Sequence, residues 1–163
     1  MIEPWKDLLQ LRAWWPAAPT INRREATRVA LGAALGLFIA GGLSMLSGLG
    51  GLGTPGLVAP LGASAVLVFG VPSSPLAQPW SVVGGNTISS LAAVAVMHLV
   101  PQMLPAAALA AGLAIALMIA LRCLHPPGGA SALLMTVNGN ADPRAALVPV
   151  LINALLLTAM AYG

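Results

Sequence analysis

Two segments of this chain combine proline, glycine and serine in an order that suits binding of a small anion. Residues 125–131 read HPPGGAS, and residues 60–65 read PLGASA. Proline is favoured in the first turn of a helix, where no N–H group is needed. Glycine, alanine and serine leave the backbone of that turn open to a neighbour, and a helix N-terminus carries a partial positive charge. Both segments therefore indicate helix N-termini, which either hold an anion or allow close helix packing.

The two segments are related by a constant offset along the chain. Gly62 lies 67 positions before Gly129, and the same offset separates Asn86 from Asn153. Each asparagine falls within an apolar run. The offset predicts two structural repeats, each composed of a helix, a proline-led short helix and a second helix.

The repeats place six segments along the chain, with repeat 1 at about 24–101 and repeat 2 at about 102–163. We expect all three segments of a repeat to cross the membrane, so that their number is odd and the two repeats have inverted topology. If the short helices are re-entrant, four spans remain. The long spans are predicted at about 28–46, 81–100, 106–121 and from 145 onward. The short helices are predicted at about 57–71 and from Pro126, with the preceding helix ending near Leu124.

The composition is that of an integral membrane protein. The chain is 58% hydrophobic and 7% charged, and its mean hydropathy is +0.91. No Lys, Arg, Asp or Glu occurs between Arg28 and Arg122, a stretch that holds several spans of about 20 residues. The apolar runs are continuous, whereas a membrane β-barrel needs alternation. The predicted fold class is an all-α integral membrane protein.

The distribution of charge predicts the orientation and the partners. Five of the seven basic residues precede the first apolar run, which the positive-inside rule explains by a cytoplasmic N-terminus. We expect the location to be a bacterial inner (plasma) membrane. Residues 1–23 are predicted to be a cytoplasmic or interfacial amphipathic segment, and residues 24–163 the transmembrane domain. No basic face for nucleic acid is visible, so the expected partners are the lipid bilayer and a small inorganic anion.

The combinations of residues needed for most catalysis are not visible in the sequence. Only two histidines and one cysteine occur, and no carboxylate pair lies in the apolar region. No zinc motif is present. We therefore predict that the protein is not an enzyme and has neither a metal site nor a cofactor.

The remaining polar residues have alternative roles. His125 either caps the preceding helix, donates to an anion, or changes charge with pH. Arg122 is either a topology anchor or attracts anions at the mouth of the pathway. Buried asparagines and serines either join helices or line a polar path. The candidate binding and permeation residues are Gly62, Ala63, Ser64, Asn86, His125, Pro126, Pro127, Gly128, Gly129, Ala130, Ser131 and Asn153.

The segment 124–130 (LHPPGGA) resembles the signature of the HPP family of integral membrane proteins. Residues 60–69 (PLGASAVLVF) and 74–80 (SPLAQPW), followed by Gly-Gly-Asn at 84–86, resemble the first conserved block of that family. Where the family pattern often has histidine after the glycine pair, this chain has Asn86, which weakens a proton-handling role there. Family members are usually described with four transmembrane helices.

The resemblance implies transport, because plant plastid and cyanobacterial relatives are implicated in nitrite transport. Together with the two helix N-termini, it predicts a transporter or channel for a small anion, nitrite above all, bound near the bilayer midplane. The alternatives are a channel or sensor gated by His125, and a structural membrane protein that transports nothing. A chain of this size buries little surface around a pore, so we expect a homo-oligomer.

Overall fold

The computed structural model describes residues 21–46, 59–139 and 141–163. The predicted interfacial segment at 1–20 and the glycine-rich stretch at 48–56 lie outside the described residues. All regular elements of the described part are helical, so the all-α prediction is confirmed. We number the helices α1 (Arg23–Leu46), α2 (Ala59–Ala65), α3 (Pro79–Leu99), α4 (Met103–Ala120), α5 (Pro126–Val137) and α6 (Pro143–Tyr162).

Four of these helices, α1, α3, α4 and α6, are long and apolar enough to cross a membrane. The apolar spans within them are 18 to 21 residues long, close to the roughly 20 residues that a bilayer requires. The two short helices are α2, which continues as a π-helical turn (Val66–Gly70), and α5, which has 12 residues. At 1.5 Å per residue, a 12-residue helix reaches only about 18 Å. Neither short helix crosses a whole bilayer, and the division into inverted repeats stays a prediction.

The long helices begin earlier than predicted, and in three of them the additional residues include a proline. Pro79 and Pro143 occupy the first helical turn of α3 and α6, where the missing N–H costs nothing. Pro105 likewise lies in the first turn of α4, which begins at Met103 and not at residue 106. The prediction that Pro126 begins a helix is confirmed.

The end near Leu124 that Pro126 predicts for the preceding helix is wrong, whereas the end of the predicted span at about 106–121 agrees with the structure. The helix α4 ends at Ala120, because Arg122 adopts a left-handed conformation with φ 55°. The N–H of Cys123 donates to the Met118 carbonyl at 2.9 Å, and the N–H of Arg122 donates to the Ile119 carbonyl at 3.2 Å. This is a Schellman motif, which satisfies the last carbonyls of a helix before the chain turns away.

Tertiary hydrogen bonds bring several segment ends to one end of the molecule. The Arg28 guanidinium donates to the Phe69 carbonyl at 3.3 Å, and the Trp80 indole N–H donates to the Leu121 carbonyl at 3.2 Å. The Tyr162 hydroxyl lies 3.1 Å from the Pro72 carbonyl. We call this the arginine end, since Arg23, Arg24, Arg28 and Arg122 lie there. At the opposite end, the far end, a crevice of about 270 Å³ separates the α3–α4 turn from the α5–α6 turn.

Small residues form the packing faces of two long helices. On α1, a Cβ at Gly32 would lie 2.9 Å from the Phe69 ring, and one at Gly36 would lie 3.1 Å from it. On α4, the inward face is fully or almost fully buried, and its members are Ala106, Ala110 and Ala114. Small side chains let membrane helices approach closely, and here they bring the outer helices against the centre.

Candidate permeation site

The imidazole of His125 joins the two halves of the chain. Its Nδ1 lies 2.8 Å from the Leu76 carbonyl oxygen, and its Nε2 lies 2.8 Å from the Ser64 hydroxyl. A carbonyl only accepts, so Nδ1 carries the proton in the neutral ring and Nε2 accepts from Ser64. Both His125 and Ser64 have no exposed surface. The hydrogen bond therefore links α2 directly to the residue that precedes α5.

The structure decides one of the alternatives for His125. Its backbone occupies the N-cap position of α5, but its side chain makes no capping hydrogen bond. The interpretation that it caps the preceding helix is wrong, since that helix has already ended at Ala120. With both ring nitrogens occupied, the ring can bind a guest or accept a proton only by changing its bond to Ser64.

The N-terminus of α5 offers fewer donors than an ordinary helix. Pro126 and Pro127 have no N–H, and the N–H of Gly128 donates to the His125 carbonyl at 2.8 Å. In regular helix geometry, the N–H of Ala130 bonds to the Pro126 carbonyl. The same geometry directs the N–H of Gly129 to the His125 carbonyl, since the carbonyl of an N-cap residue accepts the first bond of its helix. The start of α5 therefore offers a guest its partial positive charge and the nearby hydroxyl groups, and the involvement of its N–H groups stays a prediction.

The inward side of α5 packs on α3 at the level of its second turn. A Cβ at Gly128 would lie 2.6 Å from the Ser89 Oγ and 2.9 Å from the Gly85 carbonyl oxygen. A Cβ at Gly85 would lie 2.6 Å from the Cβ of His125 and 2.8 Å from the Cys123 carbonyl oxygen. These distances are shorter than real Cβ contacts, so both positions require glycine. Gly85 is six residues from the start of α3, which places the start of α5 about 9 Å inward.

The matched polar residues act mainly between helices. The Ser131 hydroxyl lies 3.2 Å from both the Asn86 Oδ1 and the Pro127 carbonyl, and the Asn86 amide donates to the Val82 carbonyl at 2.8 Å. Asn153 is fully buried on α6 and also has an interaction partner. Throughout the described residues, every buried side-chain nitrogen and oxygen has a hydrogen-bond partner. The site is therefore closed and internally satisfied.

Several predicted site residues lie on the outside of the fold. Ala63, Pro126 and Ala130 are exposed, and Gly62 and Gly129 are half-buried. A Cβ at Gly62 would meet open space, and one at Gly129 would meet only the Ile115 Cγ1 at 4.0 Å. Open space therefore lies beside both matched glycines, while the residues brought together inside are Ser64, Asn86, His125, Pro127, Gly128 and Ser131.

Arg122 lies at the arginine end, exposed and outside the buried cluster. Its positive charge follows the C-terminus of α4, where a cation is favoured by the helix dipole. This position fits the role of an anchor at the membrane surface. No group of three or more His, Cys, Asp or Glu side chains able to hold a metal occurs in the part of the chain that the structure describes.

Apart from Asn86, the predicted site includes no residue of α3 or of the loop before it. Gly85, Ser89 and Ala93 recur every four residues and are buried, a spacing typical of close helix contact. That signal was available in the sequence. The Leu76 carbonyl carried no signal, because a backbone acceptor is independent of residue type.

Comparisons with known proteins agree with these features. Residues 18–163 match the family model described as HPP, transmembrane region. Two transmembrane proteins of Dictyostelium discoideum are each 42% identical to this chain, over 86 and 113 residues. The matched regions cover 50% and 64% of this chain, but only 28% and 40% of the relatives, so the chain matches less than half of each relative's length. No solved structure matches.

The family match covers nearly the whole chain, and the four long apolar helices agree with its transmembrane character. The residues that first indicated the family, 125–130, lie at the contact between α2, α3 and α5. The chain belongs to the HPP family and is an integral membrane protein.

Proposed function

We propose that this protein carries a small inorganic anion across a membrane, with nitrite as its substrate. The observation that carries the proposal is the buried contact between Ser64 and His125 at the start of α5. It brings the two proline-led segments together and places polar side chains in an otherwise apolar interior. The expected membrane is a bacterial inner membrane, with the arginine end on the cytoplasmic side, because four described arginines lie there and only Arg144 lies at the far end.

The donors around this contact suit a small and weakly held anion. The positive end of α5 and the hydroxyls of Ser64 and Ser131 are within the same region of the fold. A fixed charge buried in a membrane would bind the ion tightly and would itself be costly. Hydroxyl and amide dipoles bind more weakly, and a permeation site needs binding weak enough for release.

The described state is closed, so transport requires an exchange of hydrogen bonds. Ser64 donates to His125, and Ser131 donates to Asn86 or to the Pro127 carbonyl. An anion accepts hydrogen bonds, so it can replace these acceptors and keep the hydroxyls satisfied, at the cost of the bond to the His125 Nε2. Rotation of a hydroxyl is a small motion, and the helices need not separate for it.

Inverted repeats would make this site accessible from both sides of the membrane. The short helix α2 ends at the arginine end, beside Arg28, whereas α5 ends at the far end, beside the crevice. Two short helices that begin near each other and run to opposite surfaces are the arrangement found in inverted-repeat transporters. The exposed apolar surfaces of α1 and α4 face lipid or a second protomer, and we keep the homo-oligomer as part of this proposal.

The test is uptake by proteoliposomes over a panel of small anions, with Gly62→Leu and Gly129→Leu as the variants. Helical side chains project toward the N-terminus of their helix, so leucine at residue 129 would cover the start of α5. Both glycines have room for a side chain, and the variants should therefore fold. We expect wild-type protein to take up nitrite and the initial rate to fall at least about tenfold in both variants, because leucine fills the open space beside each matched glycine.

The matched control is Gly112→Leu. Gly112 lies on the outer side of α4, and its Cβ would also meet open space, so leucine there adds the same apolar bulk away from the site. Uptake equal to wild type is expected. Wild-type protein that takes up none of the anions, or folded glycine variants that take them up at the wild-type rate, would contradict the proposed function.

A further inference from the structure

The segment between α2 and α3, residues 71–78, forms a short cover at the arginine end, which we call the strap. It is ordered by its own hydrogen bonds. The Ser74 hydroxyl accepts from the Leu76 N–H at 3.3 Å, and the Ala77 N–H donates to the Ser74 carbonyl at 3.0 Å. Pro75 begins the single 3₁₀ turn of this segment. The strap is therefore a preformed unit and not a loose connection.

The strap is attached to the second half of the chain at two places. The His125 Nδ1–H donates to the Leu76 carbonyl, and the Tyr162 hydroxyl lies 2.9 Å from the Ala77 carbonyl and 3.1 Å from the Pro72 carbonyl. A tyrosine hydroxyl has one hydrogen, so it serves one of these carbonyls at a time or shares its proton between them. The first attachment comes from the start of α5 and the second from the end of α6.

The strap covers the candidate permeation site from this side. Leu76 contacts the ring of His125 directly, and both His125 and Ala77 have no exposed surface. The Nδ1 edge of the imidazole becomes accessible from the arginine end only after Leu76 has moved. Moving the strap breaks two side-chain hydrogen bonds to the second half, whereas moving any of the long helices would expose a packed face.

We propose that the strap is a gate over the Ser64–His125 site, and that Tyr162 is the latch that holds it closed. The latch is suited to reversible opening, because Tyr162 is the last residue of α6 and 43% of it is exposed. Helix ends fray more readily than helix centres. The role as a gate rests on the proposed transport function, but the opening motion itself does not.

The opening can be measured without any transport, by alkylation of Cys123. This is the only cysteine of the chain, it has no exposed surface, and it lies two residues before His125. Full-length protein in lipid nanodiscs would be treated with a maleimide that does not enter lipid. The labelling rate then reports the fraction of protein in which this region is open.

The variant is Tyr162→Phe, which removes the hydroxyl and keeps the ring. We expect Cys123 to be labelled about fivefold faster, the change that loss of one net hydrogen bond produces. The matched control is Thr158→Val, one turn earlier on α6, because the Thr158 hydroxyl donates to the Ala154 carbonyl of its own helix at 2.7 Å. It should label at the wild-type rate.

A labelling rate of folded Tyr162→Phe equal to wild type would overturn the proposal, and so would an equal increase in Thr158→Val. If Tyr162→Phe does not fold, Pro75→Gly loosens the strap without removing a side-chain contact. Faster labelling of Cys123 in that variant supports the gate, and unchanged labelling overturns it. Failure of the proposed function is seen separately, as absence of anion uptake by wild-type proteoliposomes.

Discussion

The inner and outer sides of α5 use the same small residues for different purposes. On the inner side, Gly128 lies so close to Gly85 and Ser89 that no side chain fits. On the outer side, the next residue, Gly129, has almost nothing within 4 Å of where its Cβ would lie. The comparison separates two interpretations of one motif, because the first glycine serves packing and the second leaves open space beside the start of the helix.

The largest loss of stability is expected from Gly85→Ala, on the face of α3 that packs against the start of α5. The new Cβ would lie 2.6 Å from the His125 Cβ and 2.8 Å from the Cys123 carbonyl oxygen. Neither atom belongs to the end of a flexible side chain, so α3 or the start of α5 must shift. We expect the free energy of unfolding to fall by about 3 kcal/mol, measured by denaturant titration in detergent with circular dichroism.

The control for Gly85→Ala is Gly112→Ala on the outer side of α4. Its Cβ would meet open space, so only helix propensity changes, which favours alanine by about 0.8–1 kcal/mol. Equal stabilities for the two variants would show that the α3–α5 contact is looser than described.

A smaller effect is expected from Gly128→Ala, compared with Gly129→Ala beside it. The Cβ at residue 128 would lie close to one side-chain atom, the Ser89 Oγ, which can rotate, and one carbonyl oxygen. We expect a loss of about 2 kcal/mol for Gly128→Ala and no loss for Gly129→Ala. The measurement is the same titration, and similar losses in both variants would remove the distinction between the two sides.

Substitution of the serines at matching positions, Ser64 and Ser131, should lower stability less than the glycine substitutions. The loss should be greater at Ser64. Ser64→Ala leaves the fully buried Nε2 of His125 without a donor, which costs about 1–3 kcal/mol. Ser131→Ala removes a bond shared between two oxygens at 3.2 Å, and we expect a loss below about 1 kcal/mol. Thermal unfolding followed at 222 nm would rank them, and a greater loss for Ser131→Ala would contradict the hydrogen bonds described.

The smallest effect, and one of opposite sign, is expected from Arg122→Gly. Arg122 has φ 55°, a conformation that costs most residues about 1–2 kcal/mol and glycine almost nothing. We expect the free energy of unfolding to rise by about 0.5–1 kcal/mol. This net gain includes the loss of the favourable charge at the end of α4. A lower melting temperature than wild type would show that the arginine side chain stabilises the fold beyond this turn.

The sequence was sufficient for the helical class and for the order of long and short helices. The composition is that of an integral membrane protein. The constant offset between Gly62 and Gly129 indicates both short helices. The helix starts are less accurate, since the predicted spans begin after Pro79 and Pro143. A proline in a first helical turn and a proline that ends a helix look alike in a sequence.

The candidate site could be predicted only as a set of residues, and not as an arrangement. The contact of His125 with Ser64 joins residues 61 positions apart, and its bond to Leu76 uses a backbone oxygen. Neither has a local sequence pattern. The direction in which each small residue points was also hidden, since Ala130 and Ser131 are neighbours in sequence but face outside and inside.

The bonds of Tyr162 also constrain the order in which the protein can mature. A ribosome delivers the strap long before α6, because Tyr162 follows Pro72 by 90 positions and Ala77 by 85. During insertion, the first half must therefore wait in the bilayer with residues 72–77 unattached to α6, exposed to proteases and chaperones. The closing of this end is a late event of biogenesis, and a truncation within α6 should leave an inserted but protease-sensitive intermediate.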